Sequence, residues 1–169
     1  MEPIVNKVAD SGLVTIDLEA LYSTGERVVL DITDWLFEGL ILKEKDFRER
    51  LKTTDWSAYG GKHVALICSA DAIVPTWAYM LLATALRPFA ATVHFGDLER
   101  LEEALFQSAI EKIDVSSYTD QRVVIKGCSN VKVPVSAYVT LTALLQPVVK
   151  SIFYGEPCST VPVFKRKGD

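Results

Sequence analysis

The sequence predicts an α/β protein: two duplicated βαβ units forming a mainly parallel sheet with helices on both faces, plus an N-terminal extension. Three observations predict it. The 23 residues of Pro75–Asp97 recur as Pro134–Glu156 at a shift of 59. Prolines punctuate both copies at the same places, where a helix would open and where it would close. The strand–helix–strand spacing is that of a crossover, which joins parallel strands and is almost always right-handed.

The repeat has seven identical pairs, namely Pro75/Pro134, Ala78/Ala137, Tyr79/Tyr138, Leu82/Leu141, Leu86/Leu145, Pro88/Pro147 and Gly96/Gly155. Upstream, HVALI (63–67) aligns with RVVIK (122–126), and one inserted residue restores Cys68-Ser69 against Cys128-Ser129. The β-branched runs His63–Ile67 and Arg122–Ile125 read as buried strands. Pro75 and Pro134 then open apolar helices of about three turns, since proline at the first helical position loses no hydrogen bond. Pro88 and Pro147 mark the helix ends. Second strands come next at Ala91–Phe95 and Lys150–Tyr154, each closed by Gly and an acid.

An amphipathic helix carrying Leu98, Leu101, Leu105, Ala109 and Ile113 joins the copies, with Asp97 as its N-cap. In residues 1–57 the sequence predicts a strand at Arg27–Ile32, an extended segment at Gly39-Leu-Ile-Leu and a surface helix at Glu44–Lys52. The inner face of that helix carries Phe47 and Leu51. These read as additions that complete or cover the sheet. The whole is one domain: an extension (1–57), the first βαβ unit with its joining helix (58–113), and the second unit with a tail (114–169). If the first strands lie side by side, in the order 2-1-3-4, the core is one four-stranded parallel sheet.

Composition narrows the function. Hydrophobic residues make up 49% and charged residues 24% of the 169 residues, a balance that buries a core without disulfide staples. The net charge of −4 argues against nucleic acid, whose binding draws on phosphate neutralisation. The Lys165-Arg166-Lys167 cluster reads as a solvated tail. No signal-peptide pattern opens the chain, and the longest uncharged apolar run, Ala72–Leu86, is too short to span a bilayer. The expected location is cytoplasmic, with no membrane partner, and the oligomeric state is left open. Three cysteines in a reducing compartment are expected to be thiols, metal ligands or reactive groups.

The candidate site is set by topology. Open α/β sheets bind ligands at the carboxyl ends of their strands, where strand order reverses. With the first strands adjacent, Cys68 and Cys128 share that edge. Asp97 and Glu156 end the partner strands there, and Cys158 comes just after. Val74 and Val133 stand where a capping side chain is expected, leaving the first helical amides without an acceptor. A thiolate or an external anion would be favoured at such an end. Cys68, Cys128 and Cys158 thus form a candidate metal site, with Asp71 and Glu156 as further ligands. Ser69, Ser129, Ser159 and Thr160 are candidate donors to a bound cofactor or anion. The spacing matches no compact zinc or ferredoxin motif. Neither His63 nor His94 sits beside a cysteine in sequence, and both read as structural or exposed; Tyr79 and Tyr138 read as core. There is no GxGxxG, P-loop or GxSxG.

Four stretches, DWLFEGLILKEKDFR (34–48), CSADAIVPTWAYMLLA (68–83), VVIKGCS (123–129) and YGEPCSTVPVFK (154–165), resemble the signatures of domain-of-unknown-function family 2480, a family of bacterial proteins. The resemblance implies no established activity and adds no cofactor. It implies partners among the iron–sulfur assembly proteins, because relatives are often encoded beside components of the SUF machinery. It also puts weight on the same three cysteines, with Asp71 and Glu156 as neighbours.

The first functional expectation is a thiolate-bound zinc ion or iron–sulfur cluster in an accessory protein of iron–sulfur biogenesis. A second is a thiol enzyme or persulfide carrier using Cys68 or Cys128. A third is a small-anion-binding module in which the cysteines merely pack.

Overall fold

The computed structural model describes residues 6–8, 12–127, 130–156 and 158–168. Along the chain run β1 (Asn6–Val8), β2 (Leu13–Asp17), β3 (Arg27–Asp31), α1 (Glu44–Thr53), β4 (His63–Ile67), α2 (Thr76–Leu86), β5 (Thr92–Phe95), α3 (Leu98–Ile110), β6 (Arg122–Lys126), α4 (Val135–Leu145), β7 (Ser151–Glu156) and β8 (Ser159–Lys165). The α/β class and both βαβ units are present. The chain divides into two compact units, one of residues 24–104 and one of residues 1–23 with 105–169.

In the unit of residues 24–104, β3, β4 and β5 form a parallel sheet in that order. The run HVALI makes β4 the central strand because its first four residues are all buried. Val64 and Leu66 pack with Leu30, Ile32, Phe47, Ala78, Leu82 and Leu86. Phe47, fully buried, carries the inner face of α1 and meets Trp35 at 5.3 Å and Trp77 at 6.1 Å between ring centroids. Four residues on, Leu51 packs against the same core from the same side of the helix.

In the other unit the sheet order is β1-β2-β6-β7-β8. The three central strands are parallel, while β1 and β8 are antiparallel edges. Its core joins Val14, Ile16, Val123, Ile125 and Ile152 to Ala137, Leu141 and Leu145 of α4 and Phe106 and Ile110 of α3. Fully burying one such leucine contributes about 1.5–3 kcal/mol.

Three expectations need correction. The single four-stranded sheet with adjacent first strands is not formed: β4 and β6 lie in different sheets. The edge each would have offered is taken by a strand from the N-terminal region, β3 beside β4 and β2 beside β6. Those strands do complete the sheets, as expected of that region. The helix N-caps are Pro75 and Pro134 rather than Val74 and Val133, each helix starting one residue beyond its proline. Gly39-Leu-Ile-Leu is not an extended segment. Leu40 N–H donates to Phe37 O at 3.1 Å, and Glu38 and Gly39 have φ of 52° and 68°, the signature of a tight turn closed by an isolated Phe37–Ile41 bridge.

The duplication also reaches further than the identities suggest. Asp55 and Asp114 cap short 3-10 turns at the same shift, accepting from Ser57 N and Ser116 N, each at 3.1 Å. Gly61 N–H donates to Phe89 O at 3.0 Å, and Asp120 N–H donates to Val148 O at 2.9 Å. Asp31 and Asp17 end β3 and β2 in the same register, opposite Ile67 and Lys126.

Candidate functional site

The carboxyl ends of the parallel strands differ between the units. In residues 24–104 the end of β3 and the loop after β4 are tied by one carboxylate. Asp31 Oδ1 accepts from Ser69 N at 3.1 Å, Thr33 N at 3.0 Å and Thr33 Oγ1 at 2.7 Å, and Asp31 Oδ2 accepts from Ser69 Oγ at 2.5 Å. Ala70 N donates to Thr33 Oγ1 at 3.1 Å, which extends the knot along the loop. Burial pushes the Asp31 carboxyl up, but the bonds from Ser69 and Thr33 outweigh it and hold the group at about 2. The amide and hydroxyl of Ser69, a candidate donor to an external anion, are both engaged by this internal one.

Cys68 is a half-buried free thiol packed against the core of this unit, with Sγ 3.8 Å from Ala70 O. Tyr79, one turn into α2, packs edge-on against Phe95 at 5.0 Å. Burial, then Cys68 and Asp31, push its hydroxyl above the ordinary value. Asp71 is exposed in the loop beyond. His63 is buried and structural, its ring nitrogens 2.9 Å from Thr92 Oγ1 and 2.7 Å from Thr24 O. His94 is half-buried, and burial, then His63, lower its pKa.

The corresponding end of the five-stranded sheet is built differently. Lys126 Nζ, at the end of β6, meets Glu156 Oε1, at the end of β7, at 3.3 Å. Gly127 is the next residue, and a Cβ there would run into the hydroxyl of Tyr138. Tyr138 packs edge-on against Tyr154 at 5.8 Å, and burial, then Tyr154 and Asp17, raise its pKa. Val135, Tyr138, Ile125 and Tyr154 line part of a cavity of about 350 Å³ at this end. Cys158 is an exposed free thiol in the turn between β7 and β8, and Ser159, which opens β8, is exposed.

Cys128 and Ser129 lie outside the described residues. Cys68 belongs to one unit, and Cys158 and Glu156 to the other. Among the described residues no group of three or more His, Cys, Asp or Glu side chains stands close enough to hold a metal ion. Among the described residues neither α2 nor α4 receives a side-chain cap, as the sequence implied. Sequence reasoning missed Asp31 and Thr33 altogether. Asp31 closes a β-branched run, and Thr33 stands two residues later, the spacing of an Asx turn; that was the available signal.

The family model described as Protein of unknown function (DUF2480) matches residues 2–166, and the chain belongs to that family. No curated protein and no solved structure matches it. No described helix is long and apolar enough to cross a membrane.

Proposed function

We propose that this member of the DUF2480 family is a thiolate-binding accessory protein of iron–sulfur biogenesis. Its cargo, a zinc ion or an iron–sulfur cluster, is held at the carboxyl end of the five-stranded sheet and exchanged with a partner of the assembly machinery. One observation carries the reading. β6 and β7 are neighbouring parallel strands joined at their ends by Lys126 and Glu156, and the chain positions just beyond those ends are Cys128 and Cys158.

The donor chemistry fits. Two thiolates suit zinc or an iron–sulfur cluster. Glu156 supplies an oxygen at small cost, since an ion pair this exposed is worth about 0–1 kcal/mol. A partner or solvent ligand completes the set, which suits transfer. The proposed set is Cys128, Cys158 and Glu156; Cys68 packs against the core of its own unit.

The test is metal analysis and visible absorption of the anaerobically purified full chain, before and after reconstitution with zinc or with iron and sulfide. The wild type and Cys68→Ser are expected to hold metal, and Cys128→Ser/Cys158→Ser to lose it. A wild type that stays metal-free after reconstitution ends the proposal, and so does a double variant that keeps its metal.

A further inference from the structure

We propose that the amino ends of β6 and β7, at the opposite end of these strands from Glu156, form a binding site for a small organic anion with an aromatic body. The proposal is independent of the thiol reading. Arg122, Ser151 and Lys165 are direct partners across three adjacent strands, so their side chains share one face of the sheet. Phe153, two residues beyond Ser151, lies on the same face, with the Arg122 guanidinium 6.0 Å from its ring centroid. With Lys150 and Pro162 these residues line most of a cavity of about 420 Å³. Cavities that hold small molecules run from about 300 to 1,000 Å³.

Three features of the cavity point to an anion. Among the described residues none of Arg122, Lys150 and Lys165 is in an ion pair, although the chain as a whole is acidic. Ser151 is 4% exposed, yet its hydroxyl has no hydrogen-bond partner among the described residues. A buried hydroxyl left unpaired is destabilising and calls for an acceptor or donor. The repeat supplies the third feature. Arg122 and Ser151 occupy the positions of His63 and Thr92, paired in the same register. In that copy the two side chains satisfy each other, His63 Nδ1 lying 2.9 Å from Thr92 Oγ1. Here the same pair has become a cation and an orphan hydroxyl, and β8, which the other unit lacks, adds Lys165 and Pro162.

A carboxylate or phosphate would meet the three cations, and Ser151 Oγ, covered in the free chain, would turn toward it to donate, while a flat apolar group lies against Phe153 and Pro162. Such charge-assisted bonds, with Arg in particular, favour planar or tetrahedral oxyanions.

The test is an amide-shift NMR titration of the labelled full chain with phenyl phosphate and, separately, with inorganic phosphate. Phenyl phosphate is expected to shift residues 150–153 and 164–165 saturably, with inorganic phosphate about tenfold weaker or more. Arg122→Gln/Lys165→Gln should weaken phenyl phosphate about tenfold or more, and Lys132→Gln should leave it unchanged. Ser151→Ala separates ligand recognition from folding, because it should raise the melting temperature of the free chain and still weaken binding. Shifts mapping elsewhere, no saturable shifts, equal affinity for the two probes, or undiminished affinity in a folded double variant would each overturn the proposal.

Discussion

The two strand–loop–helix junctions after β4 and β6 descend from one pattern and are stabilised in different ways. After β4 the loop is knotted internally, with Asp31 gathering Ser69 and Thr33. After β6 an inserted Gly127 intervenes, and the ends of β6 and β7 are joined instead by Lys126 and Glu156. The residues at the same repeat positions, Ile67 and Asp97, do something else: Asp97 Oδ1 accepts from Arg100 N at 2.9 Å and caps α3. The difference lies in the element that each copy leads into. After β5 comes a helix that needs a cap, and after β7 a hairpin that does not. A duplicated core can thus be kept while its rim is rebuilt, and the rim is where ligands are met.

The largest expected effect tests how far the hairpin has fixed the second rim. Gly96 and Gly155 sit at equivalent positions with φ of 121° and 116°, a region closed to side chains without strain. A Cβ at Gly155 would meet the backbone oxygen of Ser159 at 2.7 Å, whereas at Gly96 it would meet Arg100, with Cδ at the same distance and the backbone-bound Cβ at 2.9 Å, so a rotamer change relieves only part of that clash. Gly155→Ala should therefore cost about 2–3 kcal/mol and Gly96→Ala about 1–2 kcal/mol, read from urea unfolding. Equal costs would mean that the hairpin yields as easily as a side chain.

The inserted glycine comes next. Gly127→Ala forces a methyl group against the Tyr138 hydroxyl, and overpacking of this kind costs about 1–3 kcal/mol. Tyr138→Phe removes the nearest atom and should recover part of the loss in the double variant, a coupling that a double-mutant cycle measures. Strict additivity would show that the tyrosine is not what excludes a side chain from Gly127.

How much of this was legible in the sequence depends on the range of the interaction. Pro75 and Pro134, with the leucines behind them, disclosed α2 and α4, because helix punctuation and periodicity are local. The order of the strands was not disclosed. β2 pairs with β6 across most of the chain, and nothing in LVTID names its partner. Placing the first strands side by side ignored the open edge that each offers to an N-terminal strand. The shared thiol edge rested on that placement, so the set that survives as a proposal is the pair of positions after β6 and β7. Asp31 stayed invisible because its donors come from two segments far apart in sequence.

The smallest expected effect belongs to that aspartate, and pH reveals it. The folded carboxyl titrates at about 2 against an ordinary 3.8. A depressed folded pKa means that the ionised form stabilises the fold above the ordinary value. That contribution is lost as pH falls through the window from about 4 to about 2. Asp31 is half-buried, and solvent screening trims the contribution to about 1 kcal/mol. Asp31→Asn keeps the shape and one acceptor and loses the charge, so it should cost about 1 kcal/mol near neutral pH, the gap from wild type closing as pH approaches 2. Asp17→Asn, which loses a carboxylate accepting from Glu19 N at 2.9 Å, should cost less than Asp31→Asn near neutral pH. Denaturant midpoints of the three proteins from neutral pH down to about 2 decide it: an Asp31→Asn curve that runs parallel to wild type would show that the knot holds without its charge, and the two junctions would then differ in shape alone.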